Sequence, residues 1–170
     1  MKLALIIFCG LLVLAVLIVF IADYSFSQRV KGEVEELFAD SRVSGKDIIK
    51  KEDLAGLPLP VQKWLEGAQV VGMEKIHTVR LKQEARLRLE KDKHWIMAEA
   101  QQYFTVDEPG FIWKAQIKAA PFFHIAGRDK YFRGRGNMLI KPLSLLTVAD
   151  ASGEEIDQGT LVRFLVETVW

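Results

Sequence analysis

Residues 3 to 22, LALIIFCGLLVLAVLIVFIA, carry no charge and no hydrogen-bonding side chain other than the Cys9 thiol. At about 1.5 Å rise per residue, a helix of this run spans about 30 Å, the thickness of a bilayer's hydrocarbon core. A removable secretory leader has a shorter apolar stretch, roughly 7–15 residues, followed by a small-x-small site. Here the exit reads Val19-Phe20-Ile21-Ala22-Asp23, with bulky Phe20 where a small residue is needed. Residues 1–22 are therefore expected to form a transmembrane signal anchor rather than a cleaved leader. Lys2 precedes the run and Arg29 and Lys31 follow it, so the positive-inside bias is nearly balanced. A span starting at residue 3 is expected to send the rest of the chain outward. The expectation is a single-pass protein of the inner or plasma membrane, with its domain on the extracytoplasmic side.

The chain has 170 residues, and beyond residue 22 it keeps 22 basic and 22 acidic side chains. A balanced domain lacks the basic excess of a free-standing nucleic-acid binder. Its aliphatic and aromatic content is too high for a disordered chain. Cys9 is the single cysteine, which excludes an intramolecular disulfide and any Cys-based zinc cluster.

Beyond the anchor, residues 23–45 read as a helical stalk and linker, and 46–170 as an α+β domain. Val30, Val34, Leu37 and Phe38 fall on one face of a helix over 24–40, and acidic Glu33, Glu35 and Glu36 fill the other side. Ser41 to Lys46 reads as a short linker. Pro60 suits the first turn of a short helix whose Trp64 is expected to pack onto the body.

Residues 78 to 90 show the clearest periodicity in the chain. Val79, Leu81, Ala85, Leu87 and Leu89 hold odd positions and mostly charged groups hold even ones, so a strand with one wet face is predicted. Lys91-Asp92-Lys93 suits a hairpin turn, and HWIMAEAQQYFTV, apolar on both faces, suits a more central strand. Asp107-Glu108-Pro109-Gly110 is a strong turn signal. FIWKAQIKAA then alternates again, with Phe111, Trp113, Ala115, Ile117 and Ala119 inward. FFHIA and KYFRGRGNMLI read as two further short strands around Gly127-Arg128-Asp129. Hairpin-linked strands in sequence predict a curved antiparallel meander, a half-barrel in its most curved form, with short packing helices. A last helix is expected from Asp157 as N-cap, with Leu161, Phe164, Leu165 and Thr168 on one face. The apolar Val169-Trp170 end leads to the expectation of a domain incomplete at its C-terminus.

Motifs for chemistry are sparse. His77, His94 and His124 are widely spaced, and no metal site, cofactor fingerprint, nucleophile elbow or phosphate loop is spelled out. Gly134-Arg135-Gly136 sits in a strand-like run, where a bulge or a close backbone contact is the expected role. Arg163 and Glu167, four apart, are expected to pair on the helix surface, or to clamp the structure if that face is buried. Two features stand above background. Arg80, Lys82, Arg86, Arg88, Lys91 and Lys93 make a basic stripe, joined in sequence by Arg128, Lys130, Arg133 and Arg135. It reads first as a solvated strand face, and second as a contact for anionic headgroups. The aromatics Trp95, Tyr103, Phe104, Phe111, Trp113, Phe122 and Phe123 are core candidates that could also line an apolar ligand pocket.

Four stretches, LPLPVQKWL (57 to 65), QQYFTVDEPGFIWKA (101 to 115), RDKYFRGRGNM (128 to 138) and TLVRFLVETVW (160 to 170), together resemble a bacterial family of membrane-associated proteins known only as a domain of unknown function. The resemblance covers roughly residues 55 to 170 and implies no activity, cofactor or catalytic residue. Members of that family generally continue past the Glu-x-x-Trp motif, here Glu167 to Trp170. Among the motif positions, Gln102, Asp129, Arg163 and Glu167 are the polar ones.

The candidate ligand-binding residues are thus Trp95, Gln102, Tyr103, Trp113, Asp129, Arg163 and Glu167, with no catalytic or metal-binding residue assigned. The leading expectation is a membrane-anchored, non-enzymatic envelope domain that binds a lipid or another apolar ligand. An alternative is an interaction module docking an envelope protein through its sheet edge and basic face. A hydrolase drawing on Asp129, Glu167 or a histidine ranks third.

Overall fold

A computed structural model describes residues 1–39, 41, 47–88 and 91–168 of the chain. Its architecture is α+β. A long apolar helix, α1 (Lys2–Leu37), is followed by two short ones, α2 (Lys51–Leu54) and α3 (Leu59–Gly67). Six strands come next: β1 (Thr78–Leu87), β2 (Ile96–Thr105), β3 (Gly110–Ala120), β4 (Phe123–Phe132), β5 (Arg135–Pro142) and β6 (Ala149–Ser152). Helix α4 (Glu154–Glu167) closes the described chain. The strands form one open antiparallel sheet in chain order, β1 through β6.

Antiparallel hairpins place alternate residues on opposite faces, and here each face receives one helix. Phe104, Phe111 and Tyr131 share the face covered by Phe164 of α4. Ile112, Ala126, Phe132 and Leu139 share the other, covered by Phe26, Val30, Val34 and Leu37 of α1. Each fully buried side chain of this size contributes about 1.5–3 kcal/mol, so both helices are held chiefly by packing. The expected helix after the anchor is therefore continuous with it through Leu37, and its apolar stripe forms half of the core rather than a free stalk.

The direction of α1 follows from its contacts. Asp23, the first charged residue after the apolar run, accepts from His124 Nε2 at 2.9 Å and from the Ser144 hydroxyl. Those residues lie at the β3–β4 and β5–β6 end of the sheet. Leu37 abuts Gly110 and Phe132 at the opposite end, close enough that a Cβ at Gly110 would lie 2.8 Å from Leu37 Cδ1. Residues 2–22 consequently project beyond the first end with exposed apolar side chains. They form the one helix, among the described residues, long and apolar enough to cross a membrane.

Several local expectations are corrected. Gly127-Arg128-Asp129 does not separate two strands. It lies within continuous β4, and the turn falls instead at Arg133-Gly134, both at positive φ. Arg128 and Asp129 escape a turn because each has an opposite charge waiting on its own face. Trp64 does not pack on the body: it is 61% exposed, and α3 buries none of its residues. Of the expected interior aromatics, Trp95, Phe122 and Phe123 are exposed instead, because they sit at or beside the connections, beyond the cover of either helix. The N-cap of α4 is Gly153, and Asp157 stands one turn in, accepting from Gly136 N at 2.6 Å. The buried face of α4 is Thr160 and Phe164, while Leu161 and Leu165 are exposed. Strand β6 had no signal in the sequence. The linker over 42–46, the outer end of the first strand at Leu89 and Glu90, and the terminal Val169-Trp170 pair lie outside the described residues.

Gly136 fulfils its expected role as a close backbone contact. A Cβ there would run into the carbonyl of Ile156 and the hydroxyl of Thr160, so only glycine lets α4 sit this near β5.

Candidate functional site

Two places gather polar groups. The first is under α4. Register places Gln102 of β2 beside Trp113 of β3, and Trp113 beside Asp129 of β4, in one row across the sheet. Arg163, in the third turn of α4, reaches down to this row. Its Nη1 donates to Asp129 and its Nε to Glu167 at 2.8 Å. Its guanidinium lies over Trp113 at 4.8 Å and Phe111 at 5.2 Å from the ring centres. Gln102 Nε2 donates to the other Glu167 oxygen. Gln83 of β1 then joins the chain, donating to Gln102 at 2.9 Å and accepting from Trp113 Nε1 at 3.0 Å.

The result is one continuous network across β1, β2, β3, β4 and α4. It unites five of the seven candidate residues, Gln102, Trp113, Asp129, Arg163 and Glu167. Gln83 was missed, since an amide at an inward position of an edge strand reads as noise in an otherwise apolar row. Tyr103 is elsewhere: it faces α1, edge-on to Phe38 at 6.2 Å, with its hydroxyl on Gln101. Trp95 lies exposed at the foot of the β1–β2 hairpin, with Arg88 over its ring at 4.9 Å.

Burial raises the Asp129 carboxyl above its ordinary range, and the opposing pull of Arg163 does not cancel it. The two carboxylates are both engaged by one guanidinium, which also lies over two aromatic rings. Such an arrangement fixes α4 on the sheet, matching the clamp expected if the Arg163–Glu167 face were buried.

The second place lies on the opposite face, beside α1. Because α1 covers β3 to β5, the β1–β2 side of that face stays open, and a trough follows the helix. Its first part, about 620 Å³, begins at Asp23, Phe26 and Ser27 and has Lys82, Glu99 and Lys114 on the sheet side. An adjoining part, about 540 Å³, continues past Val30 and Val34 to Arg80 and Tyr103. Both parts share Ser27, Gln101 and Lys114. Lys114 Nζ donates to Ser27 Oγ at 2.7 Å, and burial lowers its pKa against the attraction of Asp23. A half-buried ammonium in a partly apolar trough is a natural partner for an anion.

The basic stripe is divided by the fold. Arg80 and Lys82 border the trough, and Arg80 stacks on Phe38 at 5.0 Å. Arg128 is buried instead, its Nε 3.1 Å from Glu33 Oε2 of α1 without hydrogen-bond alignment. Lys130 and Arg29 also approach Glu33, at 3.8 and 3.7 Å. Burial lowers the Arg128 pKa, and Glu33 opposes that shift. Of the histidines, His77 pairs with Asp107 at 2.8 Å and His124 with Asp23.

An open six-stranded sheet between a membrane-length helix and the helix α4, with a trough beside the former, defines a sheet-and-helix module. The chain belongs to a family of unknown function, DUF6544, whose profile matches residues 47–170. No curated protein and no solved structure matches it.

Proposed function

We propose that the protein is a membrane-anchored, non-enzymatic envelope domain that binds a lipid, with α1 as the span and the sheet on the extracytoplasmic side. The observation that carries this reading is the trough along α1. It starts beside Asp23, where the apolar helix ends, so an amphiphile could keep its chains in the bilayer while its headgroup enters. Lys82 and Lys114 line the entrance beside Asp23, Glu84 and Glu99, and Lys31 and Arg80 line the far part beside Glu35, a balanced set that suits a zwitterionic headgroup. Phe26 and Ala126 supply the apolar wall, and the backbone of β2 and β3 at Ala100 and Ala115 forms the floor.

Native mass spectrometry of the full chain released from detergent micelles tests this. The expected result is a retained lipid mass that is lost in the Lys114→Met variant. A bare protein mass for the wild type would overturn the reading.

A second reading, a module docking an envelope protein, is favoured by one feature: β1 is an edge strand whose outward row includes Arg80, Lys82 and Arg86. Its open backbone groups could accept a partner strand. The hydrolase reading is the weakest, since Asp129 and Glu167 are both committed to Arg163.

A further inference from the structure

The sheet's own connections carry a second inference, resting on the reading of α1 as a membrane span. In an antiparallel meander, alternate connections emerge at the same end. The β1–β2, β3–β4 and β5–β6 connections all emerge where Asp23 is tied to His124 and Ser144, the end from which residues 2–22 project. A helix crossing the bilayer along that direction brings these three connections to the membrane surface.

Their composition fits that position. Trp95, Phe122, Leu146 and Val148 are exposed there, with Phe122 wholly solvent-accessible. Arg88 covers the Trp95 ring, and Lys91 and Lys93 occupy the same hairpin. Exposed apolar and aromatic groups beside cations are the composition of interfacial contacts, with rings at headgroup depth and ammonium groups at phosphates. Phe122 also has φ 60°, and Leu143 and Ser144 follow suit at 51° and 57°. Glycine or asparagine would occupy such left-handed positions with less strain. Phe122, fully exposed, gains nothing from packing within the protein.

We infer that this rim is a second membrane contact, in which the three connections dock on the leaflet from which α1 emerges. Phe122 and Leu146 enter the interfacial layer, and Arg88, Lys91 and Lys93 meet anionic headgroups.

The test uses the full chain in phosphatidylcholine–phosphatidylglycerol vesicles, with Cys9→Ser removing the native thiol. Nitroxide labels are placed singly through Phe122→Cys, Leu146→Cys, Glu108→Cys in the β2–β3 turn at the far end of the sheet, and Val13→Cys within the span. Accessibility to oxygen is compared with accessibility to a water-soluble nickel complex. The expected result is an oxygen preference at positions 122 and 146 approaching that at 13, and a nickel preference at 108. Oxygen preference at 13 with nickel preference at both 122 and 146 would overturn the rim contact and leave the anchor standing. Nickel preference at 13 would overturn the anchor and the rim contact together. Two rim positions guard against a substitution that disturbs one turn.

Discussion

The Arg163 guanidinium lies 4.8 Å from the centre of the Trp113 ring while its Nε donates to Glu167 and its Nη1 to Asp129. One side chain of α4 is thereby held against an aromatic face and two carboxylates contributed by different elements. Replacing it leaves Asp129 largely desolvated and without a counter-charge. Arg163→Met is expected to cost about 2 kcal/mol, below the value for a fully buried pair because all three partners keep some water contact. Arg163→Lys should recover part of that, losing the fork but keeping the charge. Urea denaturation of the two variants beside the wild type checks both expectations. Equal stability of wild type and Arg163→Met would show that the clamp holds nothing.

The raised Asp129 carboxyl gives stability a pH dependence of definite sign. Folded Asp129 keeps its proton to higher pH than in the unfolded chain, whose ordinary value is 3.8. The folded state therefore binds more protons in this range. The contribution of Asp129 is complete below the unfolded value and is lost as pH rises through the folded one. Arg163 and Arg128 oppose the shift and Glu167 adds to it. Denaturation midpoints of wild type and Asp129→Asn across the acidic range should show the wild type losing ground to the variant as pH rises. A difference that widened in favour of the wild type would reverse the assignment.

Gly136→Ala is expected to destabilise by about 2–3 kcal/mol. The added methyl meets the Ile156 carbonyl and the Thr160 hydroxyl, which belong to the body of α4 and cannot swing aside. Unfolding followed by tryptophan fluorescence checks this, since Trp113 reports on the α4 contact. Gly134→Ala, with open space around it but φ 75°, should cost only the backbone strain, about 1 kcal/mol.

Glu33→Gln should cost about 3 kcal/mol, because Arg128 is almost completely enclosed and loses its principal anion. The double variant Glu33→Met with Arg128→Met should recover most of that loss, since two apolar groups leave no uncompensated charge. Chemical denaturation of the single and double variants distinguishes a buried ion pair from simple packing. A double variant as weak as the single would point to packing.

The large features were legible in the sequence because each rests on a local rule. The uncharged run to Ala22 marks a helix, alternation from Thr78 marks β1, and Pro109-Gly110 marks the β2–β3 turn. The network under α4 was legible only in part. Its members lie 65 residues apart at Gln102 and Glu167, and the motif resemblance singled them out before the geometry joined them. Gln83 and Glu33 were not legible, because an amide in an apolar row and one glutamate among several carry no sign of their partner. Gly127-Arg128-Asp129 misled for the same reason. A glycine between charged neighbours resembles a turn until Arg128 is seen turned to Glu33 and Asp129 to Arg163, on opposite sides of the sheet.

The unbroken run of α1 from Lys2 to Leu37 has a mechanical consequence. With no hinge between the apolar segment and the buried stripe at Phe26, Val30, Val34 and Leu37, the helix acts as a stiff shaft fixed to the sheet. In the proposed membrane-spanning arrangement, any tilt that bilayer thickness imposes on the shaft would become a tilt of the whole sheet. A thinner membrane would lean the domain toward one side, and a thicker one would stand it upright.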